Sequence, residues 1–211
     1  MPVQNYTAKK WSLSGLQGIS DRTLEMHFGL YEGYVKNANL LNEQLREALE
    51  KGQASGGNPH FAELKRRLGF EYNGMRLHEL YFDNLRNEHQ DISCAEQFCH
   101  DITSSFGDLA SWRADFTAVG QLRGVGWAII FRDPWTGALS NNWVTLHENG
   151  NLVSFAPILV MDVWEHAFLL DHKPSERGVY IESFLAHVDW DVVERRNAKT
   201  TAKLAGLQVA T

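Results

Sequence analysis

Two long stretches with apolar residues at helical spacing, parted by one short breaker, constrain this chain more than any other feature. The first carries Leu24, Phe28, Tyr31 and Val35, then Leu40, Leu41, Leu45 and Leu49. Ser20 stands where an N-cap side chain accepts from the unpaired N–H groups of the first turn. Residues 51–59 (KGQASGGNP) end the pattern, because Gly52, Gly56, Gly57 and Pro59 all disfavour helix. A second helical stretch runs from about Phe61 through His78 to Leu85, with a bend expected at Gly74. Helices of this length joined by so short a polar loop lie antiparallel, side by side. The N-terminal part is a helical hairpin.

Beyond it the character changes. Residues 95–105 and 109–116 read as shorter helices. Residues 124–131 (GVGWAIIF), 139–146 and 152–153 read as short strands, separated by turn signals at Asp133-Pro134 and Asn149-Gly150. A further apolar run, 157–163, leads into Trp164-Glu165-His166, and helical spacing returns over 179–193. The fold class expected is α+β: an antiparallel helical hairpin packed on a C-terminal α/β domain with a small, mostly antiparallel, three-stranded sheet. The domain boundaries expected are 1–90 for the hairpin, 91–196 for the second domain and 197–211 for a flexible, alanine-rich tail.

Composition removes several function classes. With 44% hydrophobic and 22% charged residues the chain can bury a sizeable core. Its longest apolar-plus-glycine run, 124–131, is far short of the ~20 residues of a membrane helix. The first thirty residues lack the basic start and apolar stretch of a signal peptide. Twenty basic against 26 acidic residues give a net charge of −6, the wrong sign for a phosphate backbone. Cys94 and Cys99 are the only cysteines, too few for a disulfide framework. A cytoplasmic protein with no nucleic-acid and no membrane partner is the expectation. Cys94-x4-Cys99-His100 suggests a metal motif, but five residues turn the two thiols to different helix faces.

A better constellation is spread over the chain. Asp162-x3-His166 follows an apolar run, where a buried carboxylate needs a partner or a metal. Nine histidines make about half such a pair expected by chance, so the motif alone is weak. His27 and His78 lie mid-helix in the two arms of the hairpin, His27 on the face of Tyr31 and Tyr34. Taken singly, each is ordinarily a satisfied core histidine. Together, three imidazoles and one carboxylate make a site suited to iron or manganese that pins the two halves together.

The motifs around these residues resemble the iron/manganese superoxide dismutase family over about residues 10–196. Asp162-Val163-Trp164-Glu165-His166-Ala167 is similar to the family's stretch from aspartate ligand to histidine ligand. Thr23-x3-His27 followed by Tyr34-Val35-x-Asn37 resembles the first-ligand helix, and His78 in Leu77-His78-Glu79-Leu80-Tyr81-Phe82 the second. Ser105-Phe106-Gly107, Phe116, Gly124-x-Gly126-Trp127 and Arg177-x2-Tyr180-Ile181-Glu182-x-Phe184 follow in family order. The resemblance implies a dismutase that turns superoxide into dioxygen and hydrogen peroxide through one iron or manganese ion per chain. It implies His27, His78, Asp162 and His166 as ligands, Tyr34 at the mouth of the substrate channel, and Trp127 and Trp164 as pocket walls. It also implies a homodimer or homotetramer in which Glu165 bonds the last histidine ligand of the other subunit. Arg177 is the matched basic residue for anion steering. A relative that keeps the metal site without the catalysis is the alternative from another class.

The chain departs from the family pattern at two places. The family places a glutamine beside the solvent at the metal, from a helix or from the sheet part; here the two positions hold Gly74 and His147. Only one large side chain fits that volume, so the pair is complementary, with His147 the polar member. The other reading puts His147 in a surface turn beside Asn149-Gly150. The family's channel histidine falls where this chain has Leu30 and Tyr31, and that histidine's tyrosine partner across the dimer is Leu169 here. Both members of a polar pair are absent together, and Tyr31 is left among the pocket residues.

Overall fold

Ser20 caps the first helix as its sequence position predicts. Its side chain accepts from Thr23 N–H, and helix α1 then runs Asp21–Glu50 without a break. These coordinates are a computed structural model that describes residues 5–208, with side chains to residue 200. Helix α2 (Pro59–Asp83) begins with Pro at its first position, and the Asn58 side chain accepts from His60 and Phe61 N–H. It continues through Gly74 unbroken. The arms pack antiparallel into the expected hairpin.

Helices α3 (Glu96–Phe106) and α4 (Leu109–Gly120) lead into the sheet. Its three strands are β1 (Gly126–Arg132), β2 (Leu139–Thr145) and β3 (Ala156–Asp162), with β1 in the centre and antiparallel to both neighbours. Every β1 residue is buried, so it reads as a continuous apolar run rather than an alternation. The β1–β3 register sets Trp127 opposite Asp162, and this pairing matters below. Residues 152–153, expected as strand, lie instead in the turn before β3. Val153 there is exposed, so no apolar burial favours pairing.

The single helix expected over 179–193 is two, α5 (Arg177–Ala186) and α6 (Trp190–Gln208). Between them Val188 pairs with Leu85 as an isolated bridge, and Asp189 N–H donates to the Asn84 carbonyl at 2.6 Å. The Asp189 carboxylate then accepts from Val192 N–H at 3.1 Å and starts α6. Helix α6 continues through the start of the expected tail, 197–211, as far as Gln208. Asn197 is buried and donates to Asp101 at 2.9 Å, beside Arg132, which also bonds both. These bonds anchor the helix at the start of the polar, alanine-rich segment. Residues 209–211 lie outside the described part.

One apolar core spans both halves. Tyr31, Met75, Tyr81 and Phe82 from the hairpin meet Trp127, Ile129, Val160 and Met161 from the sheet, with Phe98, Trp112, Tyr180 and Phe184 closing around them. Each such side chain withdrawn from water contributes about 1.5–3 kcal/mol before entropy costs. A second, smaller cluster of Leu41, Leu45 and Leu64, with Phe61 and Leu68 against it, holds the far end of the hairpin. Among the described residues no helix is long and apolar enough to cross a membrane.

Candidate metal centre

The four residues expected as ligands converge. Their donor atoms all lie within 4.8 Å of one another. Helix periodicity turns His27 and His78 toward the sheet, and the end of β3 and the turn after it supply Asp162 and His166. Asp162 Oδ2 lies 3.1 Å from His27 Nε2, 3.2 Å from His166 Nε2 and 3.7 Å from His78 Nε2. Its other oxygen accepts from Trp164 N–H at 2.7 Å, which fixes the carboxylate's rotation. Tyr180 donates to the Asp162 carbonyl at 2.6 Å and is met by Tyr81 at 3.2 Å, so the strand end is held from behind.

The cage is dry on three sides. His27, His78 and Asp162 are buried, while the His166 side chain is 16% exposed. Burial lowers the pKa of both His27 and His78 from the ordinary imidazole value, His78 further because His27 stands beside it. Burial alone would raise the Asp162 carboxyl, but His166 and His27 outweigh it and hold the group ionised. The lowered imidazoles of His27 and His78 and the ionised Asp162 carboxylate are donor forms that a divalent or trivalent cation requires.

The tautomer of His78 is decided by geometry. Its Nδ1 donates to the Gly74 carbonyl four residues back, at 2.6 Å, so Nε2 presents a lone pair. That Nε2 is buried without a hydrogen-bond partner. An orphaned acceptor facing a carboxylate and two further imidazoles fits a metal and little else. The residues present therefore fit an iron or manganese ion.

Aromatic rings wall the cage. Trp127 meets His78 edge-on at 5.0 Å, and Tyr81 and Phe82 lie 5.1 and 4.9 Å from His27. Trp164 stacks between His166 at 5.6 Å and His147 at 4.8 Å. His147 lies in the turn after β2, beside Asn149-Gly150 as the second reading has it, but it is buried and not at the surface. The chain reverses at Leu146, whose φ of 56° is a costly left-handed conformation for leucine, and the next side chain enters the site. Trp127 Nε1–H donates to His147 Nδ1 at 3.0 Å, and an indole can only donate. The neutral ring therefore carries its proton on Nε2, which donates to the Tyr34 hydroxyl at 2.8 Å. Burial lowers the His147 pKa to about 4 and raises that of Tyr34 to about 12.

The Gly74/His147 pair is a threesome. A Cβ on Gly74 would stand 2.6 Å from Tyr34 Cδ1 and 2.8 Å from Cε1. The space the glycine leaves is taken by the Tyr34 ring, and His147 reaches that ring's hydroxyl from the other side.

Two expected site residues are placed elsewhere. Tyr31 is buried, but its hydroxyl accepts from Lys9 N–H at 2.9 Å and donates to Glu79 at 3.1 Å, tying the N-terminal segment to α2. Arg177 donates to the carbonyls of Leu122 and Gly124 at 2.6 and 2.9 Å and lies over Phe168, so its guanidinium straps a turn. Glu165 is exposed beside His166, and Leu30 and Leu169 are each 39% exposed. Cys94 and Cys99 are free thiols remote in sequence from every ligand, and Cys99 donates to the Ile92 carbonyl.

Phe70 and Arg67 were not anticipated. The Phe70 ring lies 4.5 Å from His147 and 6.2 Å from Tyr34, and Arg67 lies over Phe70 at 4.2 Å. A signal for them existed: Arg67, Phe70, Gly74 and His78 recur at helical spacing on one face of α2.

The family model for the C-terminal domain of iron/manganese superoxide dismutases matches residues 94–196. The chain is similar to the iron superoxide dismutase of Aquifex aeolicus, 33% identical over 187 residues, or 87% of this chain and 86% of that protein. It is as similar to a manganese superoxide dismutase of Haloferax volcanii, 33% identical over 177 residues, covering 82% of this chain and 84% of that one. The iron superoxide dismutase of Saccharolobus solfataricus is 30% identical over 188 residues, 88% of each chain.

Proposed function

Because this chain belongs to the iron/manganese superoxide dismutase family, we propose that it is itself a superoxide dismutase, with one iron or manganese ion per chain held by His27, His78, Asp162 and His166. The observation that carries the reading is the buried, unpartnered His78 Nε2 aimed into the same space as Asp162 and two more imidazoles. Bound there, the ion supplies the alternating one-electron reduction and oxidation that turns superoxide into dioxygen and hydrogen peroxide.

The chain's own part is orientation, exclusion of water and proton custody. The Gly74 carbonyl and Trp164 N–H fix the ring of His78 and the carboxylate of Asp162. Trp127, Trp164, Tyr81 and Phe82 keep bulk water from the ligands. Since His147 donates Nε2–H to the Tyr34 oxygen, Tyr34 retains its own hydrogen to donate, and that phenol stays protonated at ordinary pH. Tyr34 and His147 are thus the polar face of the site toward the substrate.

The assembly proposed is a homodimer, alone or paired into a homotetramer, in which Glu165 reaches the partner's His166. The exposure of Glu165, Leu30, Leu169 and Leu170 supports such a cover. An apolar rim at Leu30 and Leu169 needs no polar partner and leaves none stranded.

The test is to load the purified protein separately with iron and with manganese, count metal per chain, and measure superoxide removal per metal. About one ion per chain with turnover well above that of the free ion is expected. One ion per chain without turnover would reduce the protein to a metal-binding relative, and no metal under either loading would end the reading.

A further inference from the structure

A chain of net charge −6 has to gather an anionic substrate by local charge. The fork of Arg177 is spent on two carbonyls. Arg67 is differently placed. Its side chain is 50% exposed, its Nε and Nη2 lie 2.7 and 2.6 Å from Glu71 Oε1, and its planar head lies over Phe70. Glu71 is only 2% exposed and accepts also from Asn37 Nδ2 at 3.2 Å. The carboxylate therefore sits behind and the guanidinium in front, an ion pair with its positive end toward solvent. One ring further in are His147 and Tyr34.

Resting on the dismutase reading of the metal centre, the geometry points to Arg67 as a positioning residue that gathers small anions at the Tyr34–His147 face of the site. An approaching anion meets the half-exposed guanidinium before the buried carboxylate. Arg67 acts on both Tyr34 and His147, and at Tyr34 the opposing charge of Glu71 acts more strongly. The neighbouring rim is acidic: Glu148 Oε1 lies 3.1 Å from where a Cβ on Gly69 would be. Glu71 and Glu148 both adjoin this approach, so losing Arg67 makes it more negative. A lysine could supply the charge, but neither the two-pronged grip on Glu71 nor the flat contact with Phe70.

Azide, a small monoanion, is the probe. The metal-loaded protein is titrated with azide by absorbance, and superoxide removal is followed by pulse radiolysis, both from about 10 mM to 0.3 M salt. Arg67→Gln should weaken azide binding and slow superoxide removal by about five- to tenfold at low salt. The gap should close as salt passes about 0.1 M, where the screening length falls to about 10 Å. Arg67→Lys should recover most of the loss. Arg67→Gln strands a buried carboxylate, so Arg67→Gln/Glu71→Gln serves where the single variant does not fold, and it too should lose the salt dependence. Azide affinity and superoxide rate equal to wild type at low salt, in either variant with full metal, would overturn the assignment. A wild type that binds azide but does not turn over superoxide ends the dismutase reading while the azide arm still decides Arg67. A wild type that takes up neither metal removes both.

Discussion

The two ends of the hairpin are made by the same two helices and held by different things. At the near end His27 and His78 face Asp162, with Tyr81 and Phe82 packed beneath the sheet. At the far end Leu41, Leu45 and Leu64 have only each other, Phe61 and Leu68. The outer surface there carries the ion pairs Arg46–Glu50 and Lys51–Glu47, each worth about 0–1 kcal/mol. Near the sheet, the helices bury groups that are costly unless a cation joins them. Far from it, they bury ordinary apolar area. With the proposed ion bound, stability at one end is linked to metal, and at the other it is not.

The largest break in that contrast is His78→Ala. Removing one of the four proposed ligands should take bound metal and turnover to near zero. It should also remove the stabilisation that metal gives the native state, about 4 kcal/mol where the metal is held at a thousand times its Kd. For a chain of this size that is a fall of roughly 8–16 °C in Tm relative to the loaded wild type. Thermal unfolding with and without metal checks it. A variant that melts with the loaded wild type would show that the metal does not join hairpin to sheet.

Leu64→Ala tests the other end. Burial of Leu64 between two helices, with room for them to close up, places the cost at about 2–3 kcal/mol in urea unfolding. Metal content and turnover per metal should match wild type. Loss of metal in this variant would mean that the far cluster sets the spacing of His27 and His78, and the two ends would then be one unit.

What could be read from the amino-acid sequence divides along a similar line. Helix spacing is local, so both arms, the Ser20 cap and the facing positions of His27 and His78 were legible. Asp162 and His166 were legible because four residues of one segment carry both. The registers that set Trp127 opposite Asp162 on one side and opposite Val144, just before His147, on the other depend on pairing between separate segments. The Trp127–His147–Tyr34 hydrogen bonds depend on the second of them. No spacing encodes that. Nor does any spacing say that Tyr34 rather than His147 fills the place beside Gly74, since that volume lies between two helices. The break between α5 and α6 left a sign, Asp189 before Trp190, that the apolar spacing on both sides concealed. Arg177 and Arg67 look alike as letters; only the carbonyls at one and the buried carboxylate at the other distinguish them.

The smallest effect sharpens the near end alone. Asp171 Oδ2 accepts from Ser20 N–H at 2.8 Å and from the Thr23 hydroxyl at 2.7 Å, pinning the start of α1 to the segment after His166. Burial pushes this carboxyl up, but the bonds from Ser20 and Thr23 outweigh burial and leave it below its ordinary value. A group whose pKa is lowered by folding stabilises the native state fully above its unfolded pKa, about 3.9. That stabilisation declines as pH falls from there through the lowered native value, and is gone below it. The site is partly open to solvent, so screening keeps the sum to about 0.5 kcal/mol. Asp171→Asn keeps an acceptor and removes the charge. In urea unfolding of the metal-free protein, the variant should be less stable than wild type by that amount at pH 7 and at pH 5. The two should draw together as pH falls below about 3.5. A gap that stayed constant with pH would show that Asp171 acts through its hydrogen-bonding shape and not its charge.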